Sequence, residues 1–597
     1  MSLLVSREDL NFLLYDWLDV EALTTRSRFA EHSRETFDAV LDLSAQMAAK
    51  HFAPHNKAAD AHEPVMGPDG SVVTLDEVKT ALRLFCEAGL IAGEFDEDLG
   101  GMQLPATVAR AAMLWFQAAN VATSSYPFLT MANARLITAF ASPDLIDTYV
   151  RPMMSGRYFG TMCLSEPDAG SSLADITTRA QPCADGSYRL TGTKMWISAG
   201  DHDLTENIVH LVLAKVPGGG PGVKGISLFL VPKYLPNGHL EGPGERNDVT
   251  LVGLNHKMGH RGTTNTVLSF GDGSHNPGGQ PGAVGYLIGE LHQGLAYMFQ
   301  MMNEARIGVG FAATALGYTG FLKSLEYAKQ RLQGRSPSAK GSAAKPVPII
   351  EHADVRRMLL AQKSYVEGAL ALGLYCARLV DEEQTGQTDS AAEATLLLEI
   401  LTPIAKAWPS QWCVVANDLA IQVHGGYGYT REYDVEQHYR DNRLNPIHEG
   451  TNGIQGLDLL GRKVVMAGGA AFALLSSRIT QTVERALGHP HTAGYGHMLA
   501  ATWARVVEVT ATITAEPDPA VRLANSSLYL HAFGHSVVAW LWLEQFCAVG
   551  DRQGDFYAGK RQAARYFFDY ELSGISSTLT LLAALDRTVL DTDPAWL

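Results

Sequence analysis

The sequence has few cysteines and no cysteine pattern that would hold a metal or a disulfide framework. Six cysteines are scattered over 597 residues, none in a CxxC pair and none at a spacing from histidine that suits zinc. Disulfide-stapled proteins and zinc sites both depend on closely spaced cysteines. We therefore expect a protein of a reducing compartment, the cytoplasm, with no metal site.

The sequence also lacks an excess of positive charge. Its 47 Lys and Arg residues are outnumbered by 63 Asp and Glu residues, so the formal net charge is −16 at pH 7. That balance disfavours a non-specific grip on nucleic acid or on an anionic membrane surface, since both carry negative charge. We expect no nucleic-acid partner.

No uninterrupted hydrophobic run is long enough to span a bilayer. The most apolar stretch, residues 527–546 (SLYLHAFGHSVVAWLWLEQF), contains two histidines and a glutamate, whereas a spanning helix needs about 20 predominantly apolar residues. The N-terminus carries charges through its apolar positions, unlike a signal peptide. We expect no integral membrane segment, while peripheral association with the inner membrane stays open.

The chain does contain enough apolar material for several cores. Hydrophobic residues make up 46% and charged residues 18%, a composition typical of globular proteins, and the length exceeds that of a single core. Apolar residues recur at helical spacing, then give way to short β-rich runs, and then return to helical spacing. The sequence predicts an α+β protein with four domains: an N-terminal α-helical domain (1–159), a middle β-domain built as a barrel or sandwich (160–285), a C-terminal four-helix bundle (286–465) and an additional C-terminal helical domain (466–597) whose aromatic stripes form core or subunit contacts.

Two local patterns need separate treatment. Residues 220–225, GPGVKG, match G-x-G-x-x-G, yet runs typical of strands lie on both sides of them. A dinucleotide site needs a helix after the glycines, so we predict a hairpin loop here. Residues 334–350 are rich in Ser, Gly, Pro and Lys and predict an exposed loop between two helices of the bundle.

Four separated stretches carry residues of the kinds that bind ligands. They are MCLSEPDAGSSL (162–173), TKMWISAG (193–200), IQVHGGYGYTREY (421–433) and HEGTNGIQ (448–455). The first offers hydroxyls and loop N–H groups to a ligand, or is an ordinary turn. The second places Trp196 and Ser198 on one face of a strand, either against a flat heteroaromatic ring or with the indole in the core. The third has adjacent glycines that allow close approach to a phosphate, or that end a helix. In the fourth, Glu449 is a functional carboxylate or an acidic residue at a helix start.

Together and in this order, the four stretches resemble the acyl-CoA dehydrogenase family of flavoproteins. The resemblance runs from about residue 35 to about residue 465, and the length of the chain is similar to that of a bacterial subgroup with an appended C-terminal helical segment. It implies that FAD lies extended between the β-domain and the bundle and reaches across a subunit interface. It therefore also implies a homodimer or a dimer of dimers.

The resemblance assigns the parts of FAD to parts of the chain. Hydroxyls and main chain of the β-domain would bind the isoalloxazine ring, a glycine turn would meet the pyrophosphate of a partner subunit, and a threonine would lie near the adenosine end. The residues implied to bind FAD are Met162, Leu164, Ser165, Ser171, Trp196, Ser198, Arg331, Gln422, Val423, Gly425, Gly426 and Thr451. The sequence departs from the family pattern at Met162, Gly334 and Gly453 and by its insertion at 335–350, so the adenosine contacts should differ.

The resemblance also gives Glu449 a chemical role. In the family, the glutamate of the sequence E-G-T removes the α-proton of an acyl-CoA while a hydride passes from the β-carbon to flavin N5. Burial beside flavin and acyl chain should raise the pKa of this carboxyl group. Arg306 matches a family arginine near the carboxylate and the CoA, although by itself it is equally a helix-surface cation. The residues implied to bind substrate are Ser171, Asn303, Arg306 and Gly450.

The resemblance implies dehydrogenation of a medium- or long-chain fatty acyl-CoA to the trans-2-enoyl-CoA, with electrons passed to electron-transferring flavoprotein. A methylthio-propionyl-CoA dehydrogenase and an acyl-CoA oxidase that uses O₂ are alternatives within the same fold. A flavoprotein of this fold that binds DNA is a further alternative. It is disfavoured because residues 466–597 contain no dense block of Lys and Arg.

Overall fold

The computed structural model of the chain describes residues 3–236, 244–335 and 345–597. The predicted loop at 334–350 falls largely on residues 336–344, which lie outside the described residues. Contacts group the chain into two compact units. We call them the helical unit (Met1–Leu41, Pro105–Ala118 and Arg306–Leu597) and the β unit (Asp42–Leu104 and Ala119–Ala305).

The strands of the described residues are β1 (Val65–Met66), β2 (Val72–Val73), β3 (Tyr158–Cys163), β4 (Arg179–Pro182), β5 (Tyr188–Ser198), β6 (Asn207–Lys215), β7 (Ile226–Pro232), β8 (Tyr234–Leu235), β9 (Glu245–Arg246), β10 (Val249–Leu254), β11 (Asn265–Phe270) and β12 (Ala283–Ile288).

The α-helices of the described residues are α1 (Arg7–Asn11), α2 (Arg34–Met47), α3 (Asn56–Ala61), α4 (Asp76–Glu87), α5 (Ala106–Ala119), α6 (Val121–Phe140), α7 (Pro143–Leu145), α8 (Arg151–Met154), α9 (Gly294–Gln330), α10 (Ala353–Thr385), α11 (Thr388–His424), α12 (Val435–Asn442), α13 (Asn452–Asp458), α14 (Ala470–Leu487), α15 (Ala493–Ala515), α16 (Pro519–Leu523), α17 (Ser526–Val549), α18 (Asp555–Tyr566), α19 (Ser576–Ala583) and α20 (Thr588–Asp591).

The main sheet of the β unit closes on itself. Strand β5 pairs with β4 and β12, β12 pairs with β7, and β7 pairs with β6. The ring is completed where Lys215 of β6 pairs with Arg179 of β4. Strand β3 lies parallel beside β6, and β10 and β11 continue from the second half of β5. The predicted β-barrel is confirmed.

Strands β6 and β7 form a hairpin in the centre of this sheet. Nearly all of their residues are buried, which explains why their sequences are apolar without alternation. The two strands are antiparallel, and the segment that joins them ends in a short 3₁₀ turn over Gly222–Gly225. The hairpin predicted for GPGVKG is therefore correct, and these glycines do not begin a helix.

Helix α6 fixes the position of strand β3. The Nδ2 atom of Asn133, buried within α6, donates hydrogen bonds to the carbonyl oxygens of Thr161 (2.8 Å) and Val209 (2.9 Å). At Gly160 a Cβ would lie 2.6 Å from the Asn133 side chain, so glycine is required for this close approach. The amide thereby holds β3 and β6 to the helix, and β3 leads into the first ligand-binding stretch.

The helical unit is built on α9, α10 and α11, of which α9 enters the unit at Arg306. Glycines of α9 contact α11: a Cβ on Gly310 would meet the Ala405 carbonyl oxygen at 2.0 Å, and one on Gly317 would meet Cys413 at 2.7 Å. Because these contacts advance in the same direction along both helices, α9 and α11 run parallel, with α10 antiparallel between them in the chain. This is the arrangement expected of an up-down bundle.

Helix α17 is the core of the C-terminal helical segment. It is buried almost all round, and Nε1 of Trp542 donates a hydrogen bond to the carbonyl oxygen of Ser364 in α10 at 3.1 Å. The aromatic stripes therefore form core in this chain. No single described helix is long and apolar enough to cross a membrane, although the bent pair Asn452–Lys463 and Met466–Leu487 passes on length and composition together.

The predicted N-terminal domain, residues 1–159, is divided between the two units. Its first helix belongs to the helical unit because Asp9 of α1 forms a buried ion pair with Lys560 of α18. Residues 105–118 join the same unit because Thr107 donates a backbone hydrogen bond to Asp381 of α10 at 3.1 Å. The boundaries of the four predicted domains remain predictions.

Candidate active site

Glu449 lies in a short turn with a left-handed backbone. Its φ is 53° and that of Gly450 is 89°, and such a φ costs a residue other than glycine about 1–3 kcal/mol unless its surroundings enforce it. The Nε2 atom of Gln455 donates to the carbonyl oxygens of Glu449 (3.2 Å) and Gly450 (3.4 Å). A Cβ at Gly450 would lie 2.6 Å from that same nitrogen. Glycine is therefore required at 450, and the turn fixes the direction of the Glu449 side chain.

A chain of polar side chains anchors the segment before Glu449. His448 Nε2 lies 3.0 Å from Oδ1 of Asn445, whose Nδ2 donates to Oδ1 of Asn442 at 2.9 Å. Asn442 in turn donates to Oδ1 of Asn417 in α11 at 2.7 Å. The three asparagines are buried, so each needs these bonds. His448 thus has a structural partner within this segment.

The surroundings of Glu449 change its affinity for protons. The residue keeps some accessible surface, as a group that must meet a substrate requires. Desolvation by burial raises the pKa of Glu449, and the positive charges of Arg306 and Lys406 act against that rise. A carboxylate whose pKa is raised binds a proton more readily near neutral pH, as a general base must.

Arg306 is a buried cation rather than a helix-surface one. It is 3% exposed, and its Nη1 donates to Oδ2 of Asp458 at 3.2 Å. Asp458 also pairs with Nε of Arg462 at 2.9 Å. Burial lowers the pKa of Arg306, while the negative charges of Asp458 and Glu449 act in the opposite direction. A guanidinium remains charged under such conditions, so Arg306 supplies a fixed positive charge beside Glu449.

The sequence analysis missed two buried lysines in this region. Lys406 of α11 is 0% exposed, and Lys463, in the π-helical turn that follows α13, forms an ion pair with Glu399. Lysine is seldom buried, and neither residue belongs to a ligand-binding stretch. The burial of Lys406 could have been inferred from the apolar run LTPIAKAWP, residues 401–409, in which this lysine lacks polar neighbours.

The predicted pyrophosphate-binding glycines are open to a ligand. Helix α11 ends at His424, and Gly425 follows with φ 62°, so these glycines do end a helix. Nothing lies within 4 Å of the place where a Cβ would stand on Gly425 or Gly426. Gln422 is exposed, whereas Val423 is 4% exposed. Val423 can therefore contact a ligand through its main chain and not through its side chain.

Arg331 lies at the same end of the bundle as these glycines. The ring of Tyr327 stacks on that of His424 with centroids 4.3 Å apart, and the Arg331 side chain interacts with Tyr327 and acts to lower its pKa. Arg331 itself is exposed. The structure thus brings the predicted cation and the predicted glycine turn together within the helical unit.

In the β unit, Trp196 does not belong to the core. Its side chain is 57% exposed, which rules out the alternative of a core tryptophan. Its φ is 66°, and the β5–β11 register shifts at this point, so the strand is irregular where the indole is presented. The Ser198 hydroxyl, two residues later, accepts a hydrogen bond from Nδ2 of Asn265 at 3.3 Å.

A buried ion pair holds the first ligand-binding stretch against this strand. Lys194 Nζ donates to Oε1 of Glu166 and to the carbonyl oxygen of Leu164, both at 3.0 Å. Glu166 also accepts from the backbone N–H groups of Thr177 (2.6 Å) and Thr178 (3.0 Å). These bonds lower the pKa of Glu166 to about 2 despite its burial. This pair was not predicted from the sequence, and it ties Leu164 to strand β5 two residues before Trp196.

The remaining predicted residues differ in accessibility. Met162 in β3 is 8% exposed, Leu164, Ser165 and Asn303 are half-buried, and Ser171 is exposed. Thr451 is half-buried, and its hydroxyl caps α13 by accepting from the N–H of Ile454 at 3.2 Å. The Thr451 hydroxyl is therefore already used within the chain, and its predicted place near the adenosine stays a prediction.

Both groups of residues fit the parts of FAD that the resemblance assigned to them. An exposed indole beside a hydroxyl suits a flat ring with a polar edge. An open glycine turn beside an exposed arginine suits a pyrophosphate, because main-chain N–H groups and a guanidinium both bind phosphate oxygens. Each group lies within a single unit of the structure.

Comparison with known families gives three adjoining matches. They are the acyl-CoA dehydrogenase middle domain over residues 161–272, the acyl-CoA dehydrogenase C-terminal domain over 292–464, and a domain described as acetyl-CoA dehydrogenase C-terminal like over 475–593. The last of these covers the predicted additional helical domain.

Two curated relatives match over most of their length. A 3-methylmercaptopropionyl-CoA dehydrogenase of Ruegeria pomeroyi is 36% identical over 88% of this chain and 87% of its own. The broad-specificity linear acyl-CoA dehydrogenase FadE5 of Mycobacterium tuberculosis is 33% identical over 98% of both chains. Among solved structures, an acyl-CoA dehydrogenase of Bacillus anthracis complexed with FAD has a TM-score of 0.74 at 18% identity, covering 98% of this chain and 95% of its own.

Proposed function

Because this chain belongs to the acyl-CoA dehydrogenase family of FAD-dependent oxidoreductases, we propose that it oxidises a fatty acyl-CoA to the trans-2-enoyl-CoA with Glu449 as the base. The observation that carries the proposal is the setting of Glu449: a partly accessible carboxylate in a strained turn, with a raised pKa and two cations acting on it. Strain and perturbed pKa values cluster at functional sites.

Glu449 would perform two tasks in this reaction. Its carboxylate accepts the α-proton of the thioester, which is a very weak acid unless negative charge on the carbonyl oxygen is stabilised. Among the described residues, none accepts a hydrogen bond from the backbone N–H of Glu449. That N–H is therefore available to donate to the thioester oxygen. Gly450, whose φ of 89° disfavours a side chain, keeps the backbone in the conformation that both tasks need.

Trp196 and Ser198 would hold the ring of one FAD, and Gly425, Gly426 and Arg331 would hold the pyrophosphate of the FAD of a partner subunit, as their exposure permits. The chemistry that bound FAD would supply is acceptance of the hydride that leaves the β-carbon. Leu164 is held by Lys194, so its main chain is preorganised to contact the same ring.

We propose a linear medium- or long-chain acyl-CoA as substrate. The proposal is supported by the relative of Mycobacterium tuberculosis, whose name specifies linear acyl-CoA and which matches 98% of this chain. The relative of Ruegeria pomeroyi, at 36% identity, favours a second candidate, a methylthio-propionyl-CoA. Bleaching of the bound flavin by a panel of linear, branched and sulfur-containing acyl-CoAs distinguishes the two candidates.

We further propose that the enzyme is a homodimer or a dimer of dimers and passes electrons to electron-transferring flavoprotein. An acyl-CoA oxidase would instead produce one peroxide for each turnover in air. Measurement of peroxide during aerobic turnover, with and without that flavoprotein, separates the two acceptors.

Glu449→Gln tests the proposed base. The amide is nearly isosteric but cannot accept the proton, so we expect the variant to keep its FAD and lose most of its turnover. Glu393→Gln is the matched control, because Glu393 is an exposed partner of Arg478 in the helical unit. Retained turnover in Glu449→Gln would show that another group is the base.

A further inference from the structure

Lys406 is a buried cation that the proposed reaction has not yet used. It is 0% exposed, and its Nζ has no hydrogen-bond partner among the described residues. A buried ammonium without a partner costs free energy, whereas an ordinary structural lysine has a carboxylate close by. Lys463 illustrates the ordinary case, since it is equally buried but forms an ion pair with Glu399.

Lys406 lies where α11 contains two prolines and packs closely against α9. Prolines 403 and 409 flank it within the helix, and proline has no N–H, so Pro409 leaves the Ala405 carbonyl oxygen without its usual donor. Gly310 of α9 approaches that oxygen so closely that a Cβ would lie 2.0 Å from it. Arg306 precedes Gly310 by one helical turn on α9. The contact therefore places Lys406 against the part of α9 that follows Arg306, and the charge of Arg306 acts on Lys406.

The charges around Lys406 come from two elements. Glu449 in the turn before α13 and Arg306 on α9 are the charged groups that act on Lys406. Arg306 is already paired with Asp458, which also pairs with Arg462. Arg306 thus has another carboxylate, whereas Glu449 is the carboxylate that acts on Lys406 among the residues that the structure describes.

We propose that Lys406 is a positioning residue that, together with Arg306, keeps Glu449 in the ionised form that accepts the substrate proton. The inference rests on the proposed function of Glu449 and deepens it. Lys406 acts through Glu449 and does not itself touch the reacting atoms. Its positive charge favours the negative carboxylate over the neutral acid, which opposes the effect of burial on Glu449.

A second property of Lys406 makes the inference testable by pH. Desolvation lowers the pKa of Lys406 to about 7, although the charge of Glu449 acts to raise it. Lys406 is therefore charged below neutral pH and largely neutral above about pH 8. The charge of Lys406 should therefore stabilise the ionised form of Glu449 in acid solution and not in alkaline solution.

Lys406→Met removes the charge and keeps an unbranched side chain of similar length. We expect the acid limb of the kcat/KM profile to move up by about one pH unit, which is about a tenfold loss of kcat/KM below that limb. We expect the variant and the wild type to converge above pH 8. Lys463→Met is the control. Lys463 is a buried cation near Arg306, but it is not among the charges acting on Glu449. The acid limb of the Lys463→Met profile should therefore stay at the wild-type position.

A loss of activity that is uniform across pH would overturn the inference, because it would show only a structural role. Lys406→Arg gives an independent check, since its permanent charge should hold the acid limb at the wild-type position. A direct readout is the infrared band of the protonated Glu449 carboxyl, assigned by its loss in Glu449→Gln and titrated in wild type and in both Lys406 variants. Its midpoint should rise in Lys406→Met alone, and an unchanged midpoint would contradict the inference.

Failure of this inference can be told apart from failure of the proposed function. If Glu449→Gln keeps its turnover, the base is wrong and the effect of Lys406 has no target. If Glu449→Gln is inactive while Lys406→Met leaves both the infrared midpoint and the acid limb unchanged, the base is correct and Lys406 does not position it.

Discussion

Lys560→Met should strongly destabilise the helical unit, because it removes the central cation of a buried ionic cluster. Lys560 of α18 forms an ion pair with Asp9 of α1, lies 3.0 Å from Oε2 of Glu367 in α10, and donates to Oε1 of Gln545 at 3.0 Å. The side chains of Lys560, Asp9 and Glu367 are at most 2% exposed. The cluster therefore joins the start of the chain to the bundle and to the C-terminal segment.

The expected cost follows from what remains after the substitution. Glu367 keeps its ion pair with Lys363, whereas Asp9 loses its ion pair and keeps the neutral hydroxyl of Tyr318, which donates to its Oδ2 at 2.9 Å. Removing one partner of a buried pair costs about 3–5 kcal/mol, because the other charge is left without compensation. We expect a loss in this range in the free energy of opening of α18.

The loss should depend on pH. Burial already raises the pKa of Asp9, and the charge of Lys560 acts against that rise. Without Lys560 the pKa of Asp9 would rise further, and a carboxyl group whose folded pKa is raised loses stability as pH increases through that pKa. The difference between the variant and the wild type should therefore be larger at pH 8 than at pH 5, where Asp9 of the variant is more readily neutral.

Amide hydrogen exchange measures this effect locally, which suits a chain of several domains. The opening free energy is read from amides of α1 and α18. Arg565→Met is the matched control, since Arg565 lies on the same helix but its pair with Asp569 is largely exposed, and such pairs contribute about 0–1 kcal/mol. A loss for Lys560→Met no larger than that control would refute the reasoning, whereas partial recovery in the double variant with Asp9→Asn would support it.

Three further predictions concern the candidate site. The acid limb of the kcat/KM profile should lie above the ordinary pKa of a glutamate, because burial raises the pKa of Glu449 and only the ionised form accepts a proton; a limb at the ordinary value would contradict this. Gly450→Ala should cost about 1 kcal/mol or more in stability, measured by thermal unfolding, because φ 89° disfavours a side chain and Gln455 would have to move. The same substitution should lower kcat more than it raises KM. Glu166→Gln should leave Lys194 buried without a counter-charge, which should cost about 3–5 kcal/mol in the stability of the β unit. The purified variant should also contain less flavin. Full flavin content and unchanged stability would show that the pair does not hold Leu164 in place.

Much of the fold follows from local sequence patterns. The period of apolar residues separates helices from strands, and the runs on both sides of GPGVKG identify a hairpin despite the glycine motif. The burial of α17 was only partly predictable. Its apolar residues surround the helix, which indicates a core position, but the sequence does not say whether the same chain or another subunit covers it.

The candidate site was predicted where a motif carries it and missed where packing creates it. Glu449, Trp196 and the glycine turn belong to recognisable stretches, and the structure gives each an exposed or strained setting. Lys406 lies outside these stretches, and Lys194, although it lies within 193–200, was given no role there. Lysine is usually solvated, and whether a buried lysine has a partner depends on distant elements. The position of Lys406 depends on how closely α9 approaches α11, and helical periodicity does not specify that distance.

The most direct test of the central claim follows the α-proton itself. The wild-type protein with bound FAD is mixed with an acyl-CoA in D₂O without an electron acceptor, and loss of the α-hydrogen signal is monitored by NMR. We expect the wild type to exchange this hydrogen and Glu449→Gln, with its FAD retained, to exchange it at the rate of the solution without enzyme. Exchange by Glu449→Gln at the wild-type rate would contradict the assignment of Glu449 as the base.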